Sequence, residues 1–252
     1  MFRYDGLAYE AGGAAGPLLV LIHGLGATAG IWSSMLATSA GRWRGRWIAP
    51  DLPGHGASEH RTGYAVETLA AAIGGLIETQ HRAEEVTILG HSLGGVVAIA
   101  LSGSKLPVRA AHGLGIKVDW TDEELQRFAG LAARPAKLFP SEQEALTQHR
   151  RNCGLGDIPL DSPLLARGAA REGEQWRAAM DMVAFAVERP RIAELISVAQ
   201  CPVRLACGAS DAMVSAERLR SFDDQASVIP GAGHNVMVDL PGAVWDWLEA
   251  TP

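Results

Sequence analysis

Gly90-His91-Ser92-Leu93-Gly94 sets a serine between two glycines, directly after the apolar run Val86 to Leu89 and directly before a run that is apolar at helical spacing. Strand, tight turn and helix in that order are the context of a nucleophile elbow. Such a turn holds its serine in a strained conformation, so small neighbours are needed for the hydroxyl to project above a sheet. A strand-to-helix connection that merely contains a serine is the plainer alternative. A serine hydroxyl is a weak nucleophile near neutral pH until a base takes its proton, and the usual base is an imidazole oriented by a carboxylate.

The chain has eight histidines, and His234 stands out because Gly231-Ala232-Gly233 precedes it and the apolar stretch Val236 to Leu240 follows. It also follows the expected strand Ala226 to Ile229, at the carboxyl edge where open α/β sheets hold their sites. His91, His55 and His23 compete for the role, each with a plainer reading as a turn or packing residue. The carboxylate is expected between serine and histidine in chain order, at the end of a strand. Asp211 follows Val203 to Cys207 through Gly208-Ala209-Ser210, where it could accept the second ring proton and fix the tautomer. A turn aspartate bonded to its own backbone is the bland alternative. Asp119 competes, because it ends the expected strand Leu114 to Val118. Asp211 is favoured on spacing, with room before His234 for one helix and one strand. Thr121 with Glu124 reads as a capping box, which gives Asp119 a plain place at the entrance to a helix. Early in the chain His23-Gly24-Leu25-Gly26 follows the run Leu18 to Ile22. A glycine-rich turn there exposes amides, and the Leu25 and Leu93 N–H groups together would stabilise an oxyanion. Taken alone, the turn needs no such role.

Those residues need a rigid support. Apolar runs of strand length, Leu18 to Ile22, Trp47 to Ala49, Val86 to Leu89, Leu114 to Val118 and Val203 to Cys207, alternate with the helical patterns Val66 to Ile77 and Leu93 to Leu101. Repetition of strand and helix predicts an α/β fold, a doubly wound and mostly parallel sheet. Phe2 to Glu10 reads as an antiparallel edge strand. After Val118 about 80 residues rich in Ala, Glu, Arg and Gln intervene, broken by Pro135, Pro140, Pro159 and Pro163, with Leu125, Phe128 and Leu131 on one helix face. Residues 119–190 are therefore expected to form an inserted helical cap on a core of residues 1–118 and 191–252; helices that simply cover a sheet face are the alternative. Most large apolar residues of the insert should pack among themselves, with two or three reaching substrate. Trp32 and Met213, each close in sequence to a catalytic loop, are the expected substrate contacts.

Composition removes other classes of function. With 48% hydrophobic and 20% charged residues the chain can build a large core. A formal charge of −6 with scattered basic residues argues against nucleic acid as a partner. Cys153, Cys201 and Cys207 are an odd number and do not suggest a disulfide framework, so a reducing, cytoplasmic setting is expected. The first ten residues lack the pattern of a signal peptide, and no run reaches the roughly 18 apolar residues of a membrane span. Neither His-x-x-x-His nor paired cysteines appear, so no metal and no other cofactor is expected.

Four separated segments carry a resemblance to a known family: His23-Gly24-Leu25-Gly26, Asp51-Leu52-Pro53-Gly54-His55-Gly56-Ala57-Ser58, Gly90-His91-Ser92-Leu93-Gly94-Gly95, and Gly208-Ala209-Ser210-Asp211 with Gly233-His234. In order and spacing the chain resembles the α/β-hydrolase superfamily over nearly its whole length outside the insert. The resemblance implies Ser92 as nucleophile, Asp211 as acid and His234 as base, with Asp51 and His55 as scaffold residues. A serine at the elbow excludes the dehalogenases and epoxide hydrolases that use aspartate there. What remains is acyl transfer to water from a small molecule, first a carboxylic ester, with thioester, lactone and carbon–carbon bond hydrolysis as neighbours. A ligand receptor on the same fold is the alternative of another class.

Overall fold

The computed structural model describes residues 1–80 and 85–251. Within them the strands are β1 (Phe2–Tyr4), β2 (Leu7–Gly12), β3 (Leu18–Ile22), β4 (Arg46–Pro50), β5 (Val86–His91), β6 (Val108–Leu114), β7 (Ala169–Glu172), β8 (Gln175–Ala178), β9 (Val203–Gly208) and β10 (Ser227–Ile229). The helices are α1 (Ser33–Ala37), α2 (Val66–Gln80), α3 (Leu93–Ser102), α4 (Asp122–Ala132), α5 (Glu142–Asn152), α6 (Ile192–Ser197), α7 (Ala216–Arg220), α8 (Val236–Asp239) and α9 (Pro241–Ala250). Eight strands form one sheet in the order β1-β2-β4-β3-β5-β6-β9-β10, parallel from β4 to β10. The expected doubly wound, mostly parallel sheet is present.

Successive strand residues point to opposite faces, and both faces are covered, so the central strands are apolar at every position. In β3, Leu18, Val20 and Ile22 pack with α2 and α3, whereas Leu19 and Leu21 pack with Trp32 and the α9 tryptophans. Full burial of each such side chain contributes about 1.5–3 kcal/mol. That rigidity carries the loops at the carboxyl edge.

Three expectations need correction. Phe2 to Glu10 is not one strand: Asp5 and Gly6, at φ +43° and +77°, turn it into the hairpin β1–β2, and β2 then pairs antiparallel with β4. Two positive φ values in a two-residue loop are what a primed turn demands, and Asp-Gly supplies them. The strand expected at Leu114 to Val118 runs instead from Val108 to Leu114. Its centre, Ala110-Ala111-His112-Gly113, carries no apolar run; Gly113 must be glycine because a Cβ there would lie 2.4 Å from Ile116 Cδ1, and Gly115 at φ +65° turns the chain away. The insert, finally, is not only helical. Polar Arg171, Glu172, Gln175 and Arg177 lie on the hairpin β7–β8, against which α5 packs. Helix α4 buries none of its residues and rests on the 3-10 turn Met182–Phe185, where Phe128 meets Phe185. No helix among the described residues is long and apolar enough to cross a membrane.

Candidate active site

Strand β5 ends at His91, α3 begins at Leu93, and between them Ser92 has φ +51° and ψ −116°. For a residue with a side chain that conformation costs about 1–3 kcal/mol and persists only where the surroundings impose it. Here they do. The Ser92 N–H donates to Leu114 O at 2.8 Å, and its carbonyl accepts from Gly95 N–H at 2.9 Å. A Cβ on Gly90 would fall 2.0 Å from Gly94 O, and one on Gly94 would fall 2.2 Å from Ile22 O, so only glycine fits at either position. The Ser92 side chain faces a cavity of about 510 Å³ that His234 also lines.

His234 precedes α8 on the loop after β10, and its Nδ1 lies 2.8 Å from Asp211 Oδ2. Asp211 follows β9, with its carboxylate shielded from solvent and Oδ1 accepting from Met213 N–H at 2.8 Å. One carboxylate oxygen thus bonds its own turn and the other meets the histidine ring. With Nδ1–H donating to the carboxylate, Nε2 keeps the lone pair a base needs. Asp119 is elsewhere engaged. Its exposed carboxylate accepts from Arg218 Nε at 2.7 Å and Nη2 at 2.8 Å, five residues beyond the end of β6, and Thr121 with Glu124 forms the expected capping box.

The three competing histidines brace loops. His91 Nε2–H donates to His234 O at 3.0 Å with the two rings 4.6 Å apart, so it holds the loop that carries His234. Burial, then the neighbouring His234, push His91 well below its ordinary value. His23 accepts from Leu52 N–H at 2.8 Å and donates to Gly24 O at 2.8 Å; burial pushes it down to about 3. His55 accepts from Gly26 N–H at 3.1 Å and donates to Pro53 O at 3.0 Å, and burial lowers it too. The Gly24–Gly26 turn is thus fixed from both sides. Leu25 and Leu93 both line the cavity, and among the described residues neither amide donates to another group of the chain. Leu93 opens α3, where a helix leaves its first N–H groups unsatisfied.

Of the two expected substrate contacts, Met213 lines the cavity and is 48% exposed. Trp32 does not line it. It is fully buried in the core with Met35 and Trp245, because the short turn bearing it packs against β3, β4 and α8. Trp120, Phe128 and Phe185 of the insert face the cavity, whereas Phe139 and Trp176 pair with each other through their backbones. Tyr64 and Asn235 are cavity residues that sequence reasoning missed; Asn235 adjoins His234, and that adjacency was the available signal. No group of three His, Cys, Asp or Glu among the described residues is placed to share a metal ion.

The buried histidines have a consequence for stability. His23 and His149, the latter pushed down by burial to about 4, stay neutral when folded but take up protons at about 6.5 when unfolded. The unfolded state binds more protons between those values, so stability rises with pH from about 4 to 6.5 and is flat in this respect above. Each group contributes up to about 1.4 kcal/mol per pH unit in that window. Thermal melts should show Tm falling steeply below pH 6; a Tm constant from pH 6.5 to 4.5 would contradict the neutral, buried assignment.

A model described as the alpha/beta hydrolase family matches residues 19–247. The chain is similar to the magnesium-chelatase 30 kDa subunit of Rhodobacter capsulatus, 31% identical over 172 residues, which is 67% of this chain and 52% of that protein. It is also similar to protein phosphatase methylesterase 1 of Bos taurus, 34% identical over 98 residues, 37% of this chain and 26% of that one. The chain thus spans about half the length of the first relative and about a quarter of the second. Among solved structures, a Mycobacterium tuberculosis esterase superposes with a TM-score of 0.79 at 20% identity, over 99% of this chain and 88% of the other, a likeness of fold.

Proposed function

The chain belongs to the alpha/beta hydrolase family, and from that premise we propose that it is a serine hydrolase that cleaves a small or medium carboxylic ester through an acyl-enzyme. The observation that carries this is the convergence on one cavity of a serine at φ +51° and a histidine whose other nitrogen is 2.8 Å from a shielded carboxylate. Ser92 Oγ attacks the carbonyl carbon as its proton passes to His234 Nε2. The Leu25 and Leu93 amides stabilise the oxyanion, usually the largest single contribution to such a reaction. Collapse breaks the ester bond, and His234 returns the proton to the departing alcohol. Water, deprotonated by His234, then attacks the acyl-enzyme and releases the acid and free Ser92. Asp211 stabilises the imidazolium throughout.

The insert, residues 119–190, acts as a cap over the acyl site. Its Phe128 and Phe185, with Ile31 and Val96 of the core, give the cavity apolar walls, and a volume of about 510 Å³ suits a small or medium substrate. The mechanism uses no metal or cofactor. A reducing, cytoplasmic setting fits three cysteines that are all unpaired. A binding role without turnover is the second reading, because a shared fold does not by itself carry turnover. A panel of p-nitrophenyl esters of rising acyl length, run beside a thioester and a lactone, tests both. Ester turnover should peak at short to medium chains. Preference for thioester or lactone above about tenfold would reassign the substrate, and no turnover of any of them would leave the binding role.

A further inference from the structure

The insert does more than cover the acyl site: two of its groups bond the loop that carries the Leu25 amide directly, and a third, Arg167, reaches it through Asp51. Asp51, fully buried at the end of β4, receives four N–H groups. Its Oδ1 accepts from Ala29 N–H at 2.8 Å and Arg167 Nη2 at 3.2 Å, and its Oδ2 from Arg167 Nε at 2.8 Å and Ala57 N–H at 3.0 Å. Arg167 belongs to the insert and reaches Asp51 from a backbone at φ +62°, a left-handed conformation unusual for an arginine. Its remaining nitrogen binds Glu10 of β2. Burial alone would push the Asp51 carboxyl up, but the hydrogen bonds and charge of Arg167 hold it below the usual carboxylate range.

Two further ties join the same loop to the insert. Thr28 Oγ1 donates to Ala166 O at 2.8 Å, one residue before Arg167, and the Cys153 thiol donates to Gly26 O at 3.3 Å. A Cβ on Gly30 would lie 2.7 Å from Pro163 O, so the insert backbone presses directly on the end of this loop. The core supplies His55, which holds Gly26 N–H. The backbone from Gly26 to Gly30 is therefore fixed jointly by core and insert, and Leu25 immediately precedes it.

From these contacts we infer that Arg167 is a positioning residue for the reaction, acting through Asp51 and Ala29 to set the Leu25 amide against the oxyanion. This rests on the ester hydrolase proposed above. A buried bidentate Arg–carboxylate pair has fixed geometry as well as energy, which is what a donor that must meet a charge at about 3 Å requires. An insert that only walled the pocket would affect substrate binding; one that sets an oxyanion donor affects the transition state.

The test compares Arg167→Met, Arg167→Lys and Thr28→Val with the wild type on one p-nitrophenyl ester, with circular dichroism and thermal melts to establish the folded fraction. Binding of a trifluoromethyl ketone, which needs the oxyanion donors once Ser92 adds to it, is measured beside binding of the matching ether, which does not. Arg167→Met should lower kcat by about tenfold to a hundredfold with KM within about twofold, less than the outright loss of a donor. Arg167→Lys should recover part of that, and Thr28→Val, which leaves no charge unpaired, should move kcat in the same direction by a smaller factor. Affinity for the ketone should fall in parallel with kcat/KM while affinity for the ether holds. Loss of activity only in proportion to unfolded protein, or a raised KM at unchanged kcat, overturns the positioning role and leaves the hydrolase standing. A folded wild type that turns over no ester overturns both.

Discussion

Ser92→Ala should reduce ester turnover by about a millionfold, to the residue left by binding and the oxyanion donors. The protein should stay folded. The Ser92 hydroxyl makes no hydrogen bond to another described residue, so its removal leaves no buried partner unsatisfied, and alanine meets the same φ of +51° with a side chain no larger. Substitutions of that kind usually change stability by less than about 0.5 kcal/mol. Turnover and a thermal melt on the same preparation check both halves. Activity within about a hundredfold of the wild type, in protein of unchanged Tm, would mean that another group carries the acyl transfer.

Asp211→Asn should lower kcat by about three to four powers of ten with little change in KM, because an amide facing Nδ1 favours the tautomer that cannot take the Ser92 proton. Asp119→Asn should cost less than about threefold. Its carboxylate meets an exposed arginine, and exposed pairs are worth about 0–1 kcal/mol. Both variants, shown to be folded, are compared on one ester. The reverse ranking would move the acid to Asp119 and leave Ser92 and His234 in place.

What the sequence made legible is what leaves a local mark. Ser92, Asp211, His234 and the Leu25 turn each sit in a glycine-flanked loop after an apolar run, because a strained or closely approached backbone at a strand end excludes side chains nearby. Gly90 and Gly94 are the clearest case, since a Cβ at either would collide with backbone. The Asp5-Gly6 turn left a mark of the same kind, which the weak alternation of its flanking strands hid. Strand β6 is misplaced for the opposite reason: Gly113 must lack a side chain to admit Ile116, and a strand centre of alanine, histidine and glycine carries no apolar run. Trp32 was misjudged because distance along the chain from a catalytic loop does not say which way a side chain points. The contact of Arg218 with Asp119 spans 99 residues, and the tie between Asp51 and Arg167 joins residues 116 apart in sequence. Contacts of that range have no periodic or local signature.

The most direct measurement is labelling by a fluorophosphonate, followed by peptide mass analysis. The reagent reacts with a serine only where a base and an oxyanion site activate it. The predicted result is one label per chain, on the peptide containing Ser92, with labelling lost in His234→Ala and slowed in Asp211→Asn. A label on any other serine, or an unlabelled Ser92 in protein that still hydrolyses esters, would contradict the assignment of Ser92 as the nucleophile.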